Sequence, residues 1–508
     1  MRFYLTTPIY YVNSTPHIGH AYTTALGDVL VRNHRQRGED TFYLTGVDEH
    51  ATKVWRVAQE QGLEAQEYAD QIAVPWRELA PKMNASVDFF IRTSDEGHKR
   101  FVRGFLQRMY DNGDIYEDVY AGWYCVGCEA FKTEDELTED GLCKDHLTKP
   151  EWIGEKNYFF RLSAYQDRLL ELYDARPDFV QPPFRFNEVK SFVSGGLRDF
   201  SISRAGQPWG IPLPWDESQV AYVWADALVN YLSALTYARP GEDLREEFWP
   251  EVRHLMAQDI LRQHCIYWPA MLMAAGYSVP KQIFIHGYLL LDDLKISKSL
   301  GNAVDPLELI DVYGADAVRY WCARAVPFGQ DGSASLTGIA DRYERELGND
   351  LGNLLSRTTA MIVKYRDGRI PGGPAGESEI GAAIAALHDL VPEHLDRFDI
   401  TGAIDRIWSL VRDLNRYVTD KAPWTLAKDD SRSADLDQVL YDLADGLRSA
   451  AVALWAYLPE TAPKILEALG QPVEVDWELV RYGRLATSGT IAAAPPLFPR
   501  LEAAAGAT

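Results

Sequence analysis

The sequence has few cysteines, no long apolar run and fewer basic than acidic residues. Five cysteines in 508 residues do not suggest a disulfide framework, and three of them cluster, which is typical of a metal site in a reducing compartment. No run of about 18 apolar residues could cross a membrane. No basic segment followed by an apolar run of about 7 to 15 residues opens the chain. We therefore predict a cytoplasmic protein without a membrane partner.

The charge balance limits the kinds of partner. There are 51 basic and 74 acidic residues, which gives a formal net charge of −23. Affinity for a phosphate backbone comes mainly from Lys and Arg, so this charge argues against nonspecific nucleic-acid binding. An RNA partner would instead be recognised through local patches, by shape and by unstacked bases. The length of the chain predicts about three or four domains.

Among the features that are present, two histidines stand at the start of a predicted helix. The stretch STPHIGHAYTTAL follows a strand-like run, FYLTTPIYYV, and leads into apolar residues at helical spacing. Ser14 or Thr15 is expected to cap the helix, which puts His17 and His20 on one face of its first turns. A helix N-terminus attracts anions, and Gly19 would let a flat ring or a phosphate approach the backbone. This pattern favours a nucleotide site, with a pair of surface histidines as the alternative.

A second cluster consists of Cys125, Cys128, Cys143 and His146, with the spacing C-x2-C-x14-C-x2-H. Three thiolates and one imidazole can close a tetrahedral site with no open position, which predicts one structural Zn²⁺ ion. A chance grouping of the four residues is the alternative.

The other two cysteines, Cys265 and Cys322, lie in apolar runs and are predicted to be buried. The segment 115–219, which contains the cysteine cluster, has several prolines and no parallel-sheet pattern of its own. We interpret it as an insertion between two halves of an α/β domain.

The run IFIHGYLLLDDLKISKSLGN, residues 283–302, joins an apolar strand-like stretch to a loop with Lys295 and Lys298. Flexible lysines beside serine and glycine suit a loop that closes over a leaving phosphate and supplies positive charge in the transition state. A solvated loop is the alternative. Paired with the two N-terminal histidines, the loop favours a split nucleotide-binding fold.

These two segments resemble the HIGH and KMSKS signatures of the class I aminoacyl-tRNA synthetases. Other stretches are similar to the methionyl branch of that family, in the family's order: FYLTGVDEH, YVWADALVNYLSAL, DILRQHCIYWPAML, GADAVRYW, NDLGNLLSRT and KAPWTLAK. The resemblance implies a ligase that converts L-methionine and ATP, the latter with Mg²⁺, into methionyl-adenylate and pyrophosphate. Methionine would then pass to tRNA(Met), initiator tRNA included, and the enzyme would be a monomer.

The implied fold is α/β: a Rossmann-type parallel-sheet catalytic domain with an inserted zinc-binding connective domain, followed by an α-helical bundle that binds the anticodon. The expected domains are 1–114 and 220–290 for the two catalytic halves, 115–219 for the connective insertion, 291–345 for the KMSKS loop and stem-contact region, and 346–508 for the bundle and C-terminal tail. Two long amphipathic runs, IGAAIAALHDLVPEHLDRF and ITGAIDRIWSLVRDLNRYVTDKAPW, independently favour a bundle.

The resemblance also assigns site residues. ATP is expected to contact His17, Gly19, His20, Asp259, His286, Lys295 and Lys298, with His17, His20 and Lys298 catalytic. The methionine pocket is expected to comprise Ile9, Tyr11, Asp48, Trp224, Ala227, Leu228, Tyr231, Ile260 and His264. The anticodon is expected to contact Asn353, Arg357, Pro423 and Trp424. Asp48 would take the substrate ammonium group, and Tyr11 and His264 would donate to the weakly accepting thioether sulfur.

Two departures from the family pattern lie beside the expected site. The usual G-K-D-I here reads AQDI, so Gln258 replaces a lysine and one positive charge is missing. Restoring it by Gln258→Lys is expected to lower the KM for ATP. The usual D-E-H-G here ends in Ala51, which predicts a negative φ at that residue.

Other interpretations stay open. A class I synthetase for another aliphatic amino acid, a small nucleotidyltransferase with an H-x-G-H motif, and a synthetase-derived, non-catalytic tRNA-binding protein share some of these features. The helical spacing of Trp224, Leu228 and Tyr231 would, without the resemblance, indicate core packing. The length and the bundle disfavour the nucleotidyltransferase, and the intact phosphate-binding signatures disfavour the non-catalytic protein.

Overall fold

The computed structural model describes residues 1–12, 15–126, 130–132, 134–144, 147–291, 294–295, 304–327, 329–333, 335, 337–373 and 376–501. The strands are β1 (Arg2–Tyr11), β2 (Asp40–Asp48), β3 (Phe89–Arg92), β4 (Ile115–Cys125), β5 (Ala130–Lys132), β6 (Glu151–Phe160), β7 (Val180–Gln181), β8 (Phe200–Ser201), β9 (Ser203–Ala205), β10 (Gln219–Ala221), β11 (Val252–Ala257), β12 (Gln282–His286), β13 (Leu289–Leu291), β14 (Leu294–Lys295) and β15 (Gly332–Ser333).

The α-helices are α1 (Ile18–Gln36), α2 (Thr52–Gln61), α3 (Ala65–Lys82), α4 (Glu96–Asp111), α5 (Gln166–Ala175), α6 (Pro183–Ser194), α7 (Val223–Ala227), α8 (Asn230–Ser233), α9 (Arg245–Phe248), α10 (Trp268–Ala274), α11 (Pro306–Tyr313), α12 (Ala315–Ala325), α13 (Thr337–Asp341), α14 (Asn353–Arg366), α15 (Glu379–Asp396), α16 (Ile400–Lys421), α17 (Pro423–Leu426), α18 (Ser433–Leu454) and α19 (Thr461–Ala468). Two π-helical segments are Gln263–Tyr267 and Arg342–Gly352. Among the described helices, none is both long enough and apolar enough to cross a membrane.

The chain forms two compact units. The first comprises Met1–Pro16, Thr41–Ala80 and Val87–His286. The second comprises His17–Asp40, Pro81–Ser86 and Gly287–Thr508.

The first unit is built on a six-stranded sheet in the order β3-β2-β1-β11-β12-β7. The pairs β2–β3, β1–β11, β11–β12 and β12–β7 are parallel. Parallel strands with both faces covered read as nearly continuous apolar runs, which is why all but the first residue of β2 is buried. The architecture is the expected Rossmann-type α/β sheet.

The sheet differs from the sequence-based expectation at one edge. Strand β7 lies within 115–219, the segment predicted to have no parallel-sheet pattern, yet it pairs in parallel with β12. A strand of two residues has no visible periodicity, so sequence patterning cannot detect it. The same segment also forms an antiparallel sheet in the order β5-β4-β6-β8, which begins at Ile115.

The second unit is mostly helical. The long amphipathic runs IGAAIAALHDLVPEHLDRF and ITGAIDRIWSLVRDLNRYVTDKAPW correspond to helices α15 and α16, as predicted, and α16 packs against both α15 and α18. Helix α1 belongs to this unit and packs against α12. A small three-stranded sheet in the order β14-β13-β15 also lies here.

Candidate active site

The two histidines of the HIGH segment cap helix α1 themselves. His17 is the N-cap, in extended conformation, and its Nδ1 accepts a hydrogen bond from the Gly19 amide at 3.1 Å. The His17 amide donates to His20 Nδ1 at 3.0 Å, which completes a reciprocal capping box. The predicted cap at Ser14 or Thr15 is therefore wrong. His17 takes that position, and Ser14 lies outside the described residues.

This arrangement fixes the chemistry of both rings. A nitrogen that accepts a hydrogen bond carries no proton, so each neutral ring keeps its proton on Nε2. The ring centroids of His17 and His20 lie 3.8 Å apart. A Cβ added at Gly19 would lie 3.0 Å from His17 Cε1, so the flat ring that Gly19 admits is the His17 ring. The pair forms a preset group of Nε2–H donors, which suits phosphate oxygens.

Helix α1 is anchored at its middle by buried charges. The Asp28 carboxylate contacts Arg319 of α12 at 2.7 Å and Arg32 at 2.7 Å, and it accepts from the Ser86 amide at 2.6 Å. Burial alone would raise the pKa of Asp28, but Arg319, Arg32 and the Ser86 hydrogen bonds lower it below its ordinary value. This ion cluster fixes the helix that carries the histidines to the rest of its unit.

The other predicted ATP contacts lie on several different elements. His286 is buried at the end of β12, opposite Ala257 at the end of β11. Asp259 is exposed in the turn after β11. Lys295 lies in β14 and pairs with Leu290. Lys298 lies outside the described residues, so its catalytic role stays a prediction.

Four residues of the predicted methionine pocket form one continuous aromatic group, which we call the methionine wall: Tyr11, Trp224, Tyr231 and His264. The ring centroids are 6.1 Å apart for Tyr11 and Trp224, and 6.4 Å for Trp224 and His264. Tyr231 and His264 lie 5.6 Å apart. Tyr231 and His264 are buried, and Trp224 and Tyr11 are partly buried. A partly exposed aromatic edge over a buried base is the form expected of a small apolar pocket.

Hydrogen bonds within the wall correct the role predicted for His264. Its Nδ1 lies 2.9 Å from the Ile260 carbonyl, which can only accept, so Nδ1 carries the proton. Its Nε2 therefore accepts from the Tyr231 hydroxyl at 2.7 Å. Burial lowers the pKa of His264 to about 4, so the ring is neutral near pH 7. His264 has no N–H left for a thioether sulfur, and the sequence-based donor role is wrong.

The remaining members of the predicted pocket surround this wall. Ala227 and Leu228 are buried, and Ile9 and Ile260 are partly buried and pack on the same core. Asp48 is buried at the end of β2, where its carbonyl accepts from the Val12 amide at 3.4 Å. Burial raises the pKa of Tyr231, and the Asp48 charge contributes to this shift. Asp48 is thus within electrostatic reach of the wall.

The sequence analysis missed a buried polar network beside the pocket. Asp226 accepts from His50 Nδ1 at 2.5 Å and from His98 Nε2 at 2.7 Å, and His98 Nδ1 lies 2.7 Å from Ser233 Oγ. Burial alone would raise the pKa of Asp226, but His50 and His98 lower it to about 2. His50 and Asp226 lie two residues from Asp48 and Trp224, so the network joins two segments of the pocket. His50 ends the motif VDEH and Asp226 ends the motif VWAD, and these motifs were the sequence signal that could have revealed the network.

The predicted anticodon contacts lie in the second unit. Asn353 and Arg357 are exposed near the start of α14, and Arg357 donates to Asn415 Oδ1 of α16 at 2.7 Å. Trp424 is 47% exposed, whereas Pro423 is buried at the start of α17. About half of the Trp424 side chain is therefore open to solvent.

Two of the four predicted zinc ligands are described. Cys125 and Cys143 are buried, and both contact Thr148: Cys125 Sγ lies 4.0 Å from its hydroxyl, and the Cys143 amide donates to its carbonyl at 2.9 Å. Cys128 and His146 lie outside the described residues. Within the described ranges no group of three or more His, Cys, Asp or Glu could hold a metal. Cys265 and Cys322 are buried, as predicted.

Comparison with known proteins identifies the family. The family model "tRNA synthetases class I (M)" matches residues 3–146 and 136–359. Methionine--tRNA ligase of Caldanaerobacter subterraneus subsp. tengcongensis is 44% identical over 505 residues, which are 98% of this chain and 79% of the relative. That of Streptomyces coelicolor is 42% identical over 525 residues, which are 98% of this chain and 97% of the relative.

Solved structures agree with these relatives. Mycobacterium tuberculosis methionyl-tRNA synthetase in complex with methionyl-adenylate is 40% identical, covers 98% of this chain and 100% of that chain, and has a TM-score of 0.93. The free form of the same enzyme is 38% identical, covers 99% and 98%, and has a TM-score of 0.86. The chain therefore belongs to the methionyl branch of the class I tRNA synthetases.

Proposed function

We propose that the chain activates L-methionine with ATP and transfers the methionyl group to tRNA(Met), initiator tRNA included. The observation that carries this proposal is the match, over 98% of the chain, to a synthetase in complex with methionyl-adenylate. In the first step a methionine carboxylate oxygen attacks the α-phosphorus of ATP, and the bond from that phosphorus to pyrophosphate breaks. In the second step the terminal hydroxyl of tRNA attacks the methionyl carbonyl carbon, and AMP leaves.

The proposed catalytic groups act by position and charge and form no covalent bond to the substrate. The Nε2–H groups of His17 and His20 donate to phosphate oxygens of ATP, because their Nδ1 atoms are occupied by the helix cap. Lys298 supplies positive charge to the departing pyrophosphate. ATP enters with Mg²⁺ as the substrate complex.

Methionine selection depends on the methionine wall. The unbranched, polarisable thioether packs against the Trp224 and Tyr11 rings. Because His264 is neutral and both its nitrogens are engaged, the Tyr11 hydroxyl is the proposed donor to sulfur. Asp48 binds the substrate ammonium group through a charge-assisted hydrogen bond.

The further assignments are also proposals. Asn353, Arg357, Pro423 and Trp424 read the anticodon, the domain boundaries stand as predicted from sequence, and the enzyme acts in the cytoplasm as a monomer. Trp424 supports the anticodon assignment, because an exposed indole offers the stacking face that single-stranded RNA requires.

One structural Zn²⁺ ion is proposed for Cys125, Cys128, Cys143 and His146. The two described cysteines fit this assignment, because both are buried and contact the same threonine. A bound ion would cross-link the segments that carry the four residues and would stabilise the local fold. Cys143→Ser should release zinc from the purified protein, whereas Cys322→Ser, at a buried cysteine in α12, should retain it. Wild-type protein without zinc would contradict the site.

Pyrophosphate exchange tests the proposed function. Labelled pyrophosphate should enter ATP in the presence of methionine, and much less with leucine, isoleucine or valine at equal concentration. Lys298→Ala should slow the exchange by about 100-fold or more with a smaller change in methionine binding, since a lysine that meets developing charge acts mainly in the transition state. Exchange that prefers another aliphatic amino acid would refute the methionine assignment. If none of the amino acids supports exchange, the protein is a non-catalytic tRNA-binding protein.

A further inference from the structure

Three neighbouring strands of the parallel sheet end at the same edge. Strand β12 lies between β11 and β7, with Ala257 opposite His286 and Gln181 opposite Phe284. The chain leaves β11 at Gln258 and leaves β7 towards Arg185 in the first turn of α6. In open α/β sheets, ligands bind beyond the carboxyl ends of the strands. Arg185 and Gln258 are therefore at the edge where a nucleotide is expected.

The Arg185 side chain bridges these segments. Its Nη2–H donates to the side-chain amide oxygen of Gln258, Oε1, and its Nη1–H donates to Glu188 Oε2 at 3.1 Å. The guanidinium also lies 5.0 Å from the Phe184 ring centroid, and the side chain is 17% exposed. A hydrogen bond, an ion pair and an aromatic contact together hold this cation in one orientation.

One donor of Arg185 has no acceptor in the part of the chain that the structure describes. The Nε–H is buried and has no hydrogen-bond acceptor among the described residues. A buried donor without an acceptor is costly, and a charged one more so. Guanidinium groups bind phosphate through paired N–H donors, and Nε–H together with an Nη–H is such a pair.

We propose that Arg185 binds an anionic oxygen of ATP, and of the adenylate formed from it, at this sheet edge. Gln258 orients the guanidinium by accepting from Nη2. Arg185 would thus supply the positive charge that the family pattern leads us to expect at position 258. This inference rests on the proposed function, because it assigns a further residue to the same nucleotide site.

The contact changes the expected effect of Gln258→Lys. Sequence alone predicts that this substitution lowers the KM for ATP. In the structure it would replace an acceptor of the guanidinium with a second cation, so the two charges would repel each other. We therefore expect no decrease in the KM for ATP while Arg185 is present, and a decrease once Arg185 has been replaced.

Four proteins test whether a cation at position 258 can replace the one at position 185: the wild type, Arg185→Gln, Gln258→Lys and the double variant. The KM for ATP and for methionine is measured by pyrophosphate exchange at low and at high salt. Arg185→Gln should raise the KM for ATP about tenfold, the size expected for a lost charged hydrogen bond, and should leave that for methionine within about twofold. The double variant should recover most of this loss, and more fully at low salt, where charges are least screened.

Arg262→Gln is the matched control. Arg262 is a more exposed arginine in the segment after Gln258, with its guanidinium over the Phe192 ring at 4.3 Å. Its replacement should leave the KM for ATP unchanged. Melting temperatures of all variants are compared, and ATP binding to any less stable variant is measured well below its melting temperature.

Two outcomes would overturn the inference. In the first, folded Arg185→Gln binds ATP as the wild type does. In the second, the KM for ATP and that for methionine rise together and Gln258→Lys restores neither, which indicates a structural role for Arg185. Wild-type protein without methionine-dependent exchange would instead refute the proposed function, so the two failures are distinguishable.

Discussion

The methionine wall and the predicted anticodon face differ in how they use their polar atoms. In the wall, His264 is buried and both of its nitrogens bond to Ile260 and Tyr231. On the anticodon face, which we define as Asn353, Arg357 and Trp424, all three residues are exposed. The buried base of the wall, His264 and Tyr231, satisfies its polar atoms internally, whereas the anticodon face presents them outwards.

The difference follows from the proposed ligands. A thioether side chain offers little hydrogen bonding, so polar groups around it must be satisfied by the protein or they oppose its binding. Unstacked bases offer flat faces and many polar edge atoms, so their site needs exposed rings and donors. Substitutions beside the wall should therefore act through buried networks, and those on the face through direct contact.

The largest effect is expected at Asp226. Asp226→Asn replaces a carboxylate that accepts from two histidines by an amide with one acceptor and one donor group, so one histidine faces a donor. Leaving a buried donor without its acceptor costs about 1 to 3 kcal/mol, and more where the lost acceptor was charged. We expect a lower free energy of unfolding and a higher KM for methionine, measured by denaturation and by pyrophosphate exchange.

Asp442→Asn is the matched control in the second unit. Asp442 is also buried, and it accepts from the Tyr417 hydroxyl at 2.7 Å and from the Gln438 amide at 2.9 Å. Its replacement should lower stability and leave the KM for methionine in exchange unchanged. An equal rise of that KM in both variants would show that Asp226 has no specific link to the pocket.

A smaller effect is expected from the titration of His264. Burial lowers the pKa of the folded ring to about 4, whereas the unfolded ring titrates near 6.5. Between these values the unfolded chain binds a proton that the folded ring does not, so stability falls as the pH is lowered through this range. The contribution reaches about 3 kcal/mol when fully developed.

His264→Gln removes this titration. The thermal unfolding midpoint of the variant should therefore fall less than that of the wild type between pH 6.5 and pH 4. Parallel curves for the two proteins would mean that His264 titrates normally in the folded state, in conflict with its buried, internally bonded ring. The comparison uses the difference between the proteins because burial also lowers the pKa of other groups, including His254.

Sequence patterning predicts an element well where an apolar pattern extends over many residues or where the signal lies in the residue itself. The strand before the HIGH segment, the long helices α15 and α16, and the buried cysteines Cys265 and Cys322 are confirmed. The negative φ at Ala51 is also confirmed, at −79°. Each of these depends on a residue's own chemistry or on a repeated apolar pattern.

The wrong predictions depend on pairings between side chains or on very short elements. Cap preferences favour Ser or Thr, but His17 and His20 cap α1 through their own ring nitrogens. Strand β7 is too short to show a period. The proton position on His264 depends on the Ile260 carbonyl and the Tyr231 hydroxyl, whose distances no linear pattern contains. Arg185 was missed because its partner lies 73 positions away in sequence.

A smaller effect than those at Asp226 and His264 is expected at Trp424, because this residue is proposed to act by direct contact with a base and belongs to no buried network described above. Trp424→Ala should weaken aminoacylation of tRNA by roughly 1 to 3 kcal/mol, the value of one base stacked on an aromatic ring. Methionine-dependent pyrophosphate exchange should stay near the wild-type rate, because that reaction needs no tRNA. Trp424→Phe keeps an aromatic face and should retain most of the wild-type activity in aminoacylation, which Trp424→Ala loses. Since Trp424 is 47% exposed, neither variant should change the unfolding midpoint greatly. If alanine slows exchange as much as aminoacylation, or if phenylalanine is no better than alanine, Trp424 stabilises the bundle and does not stack on a base.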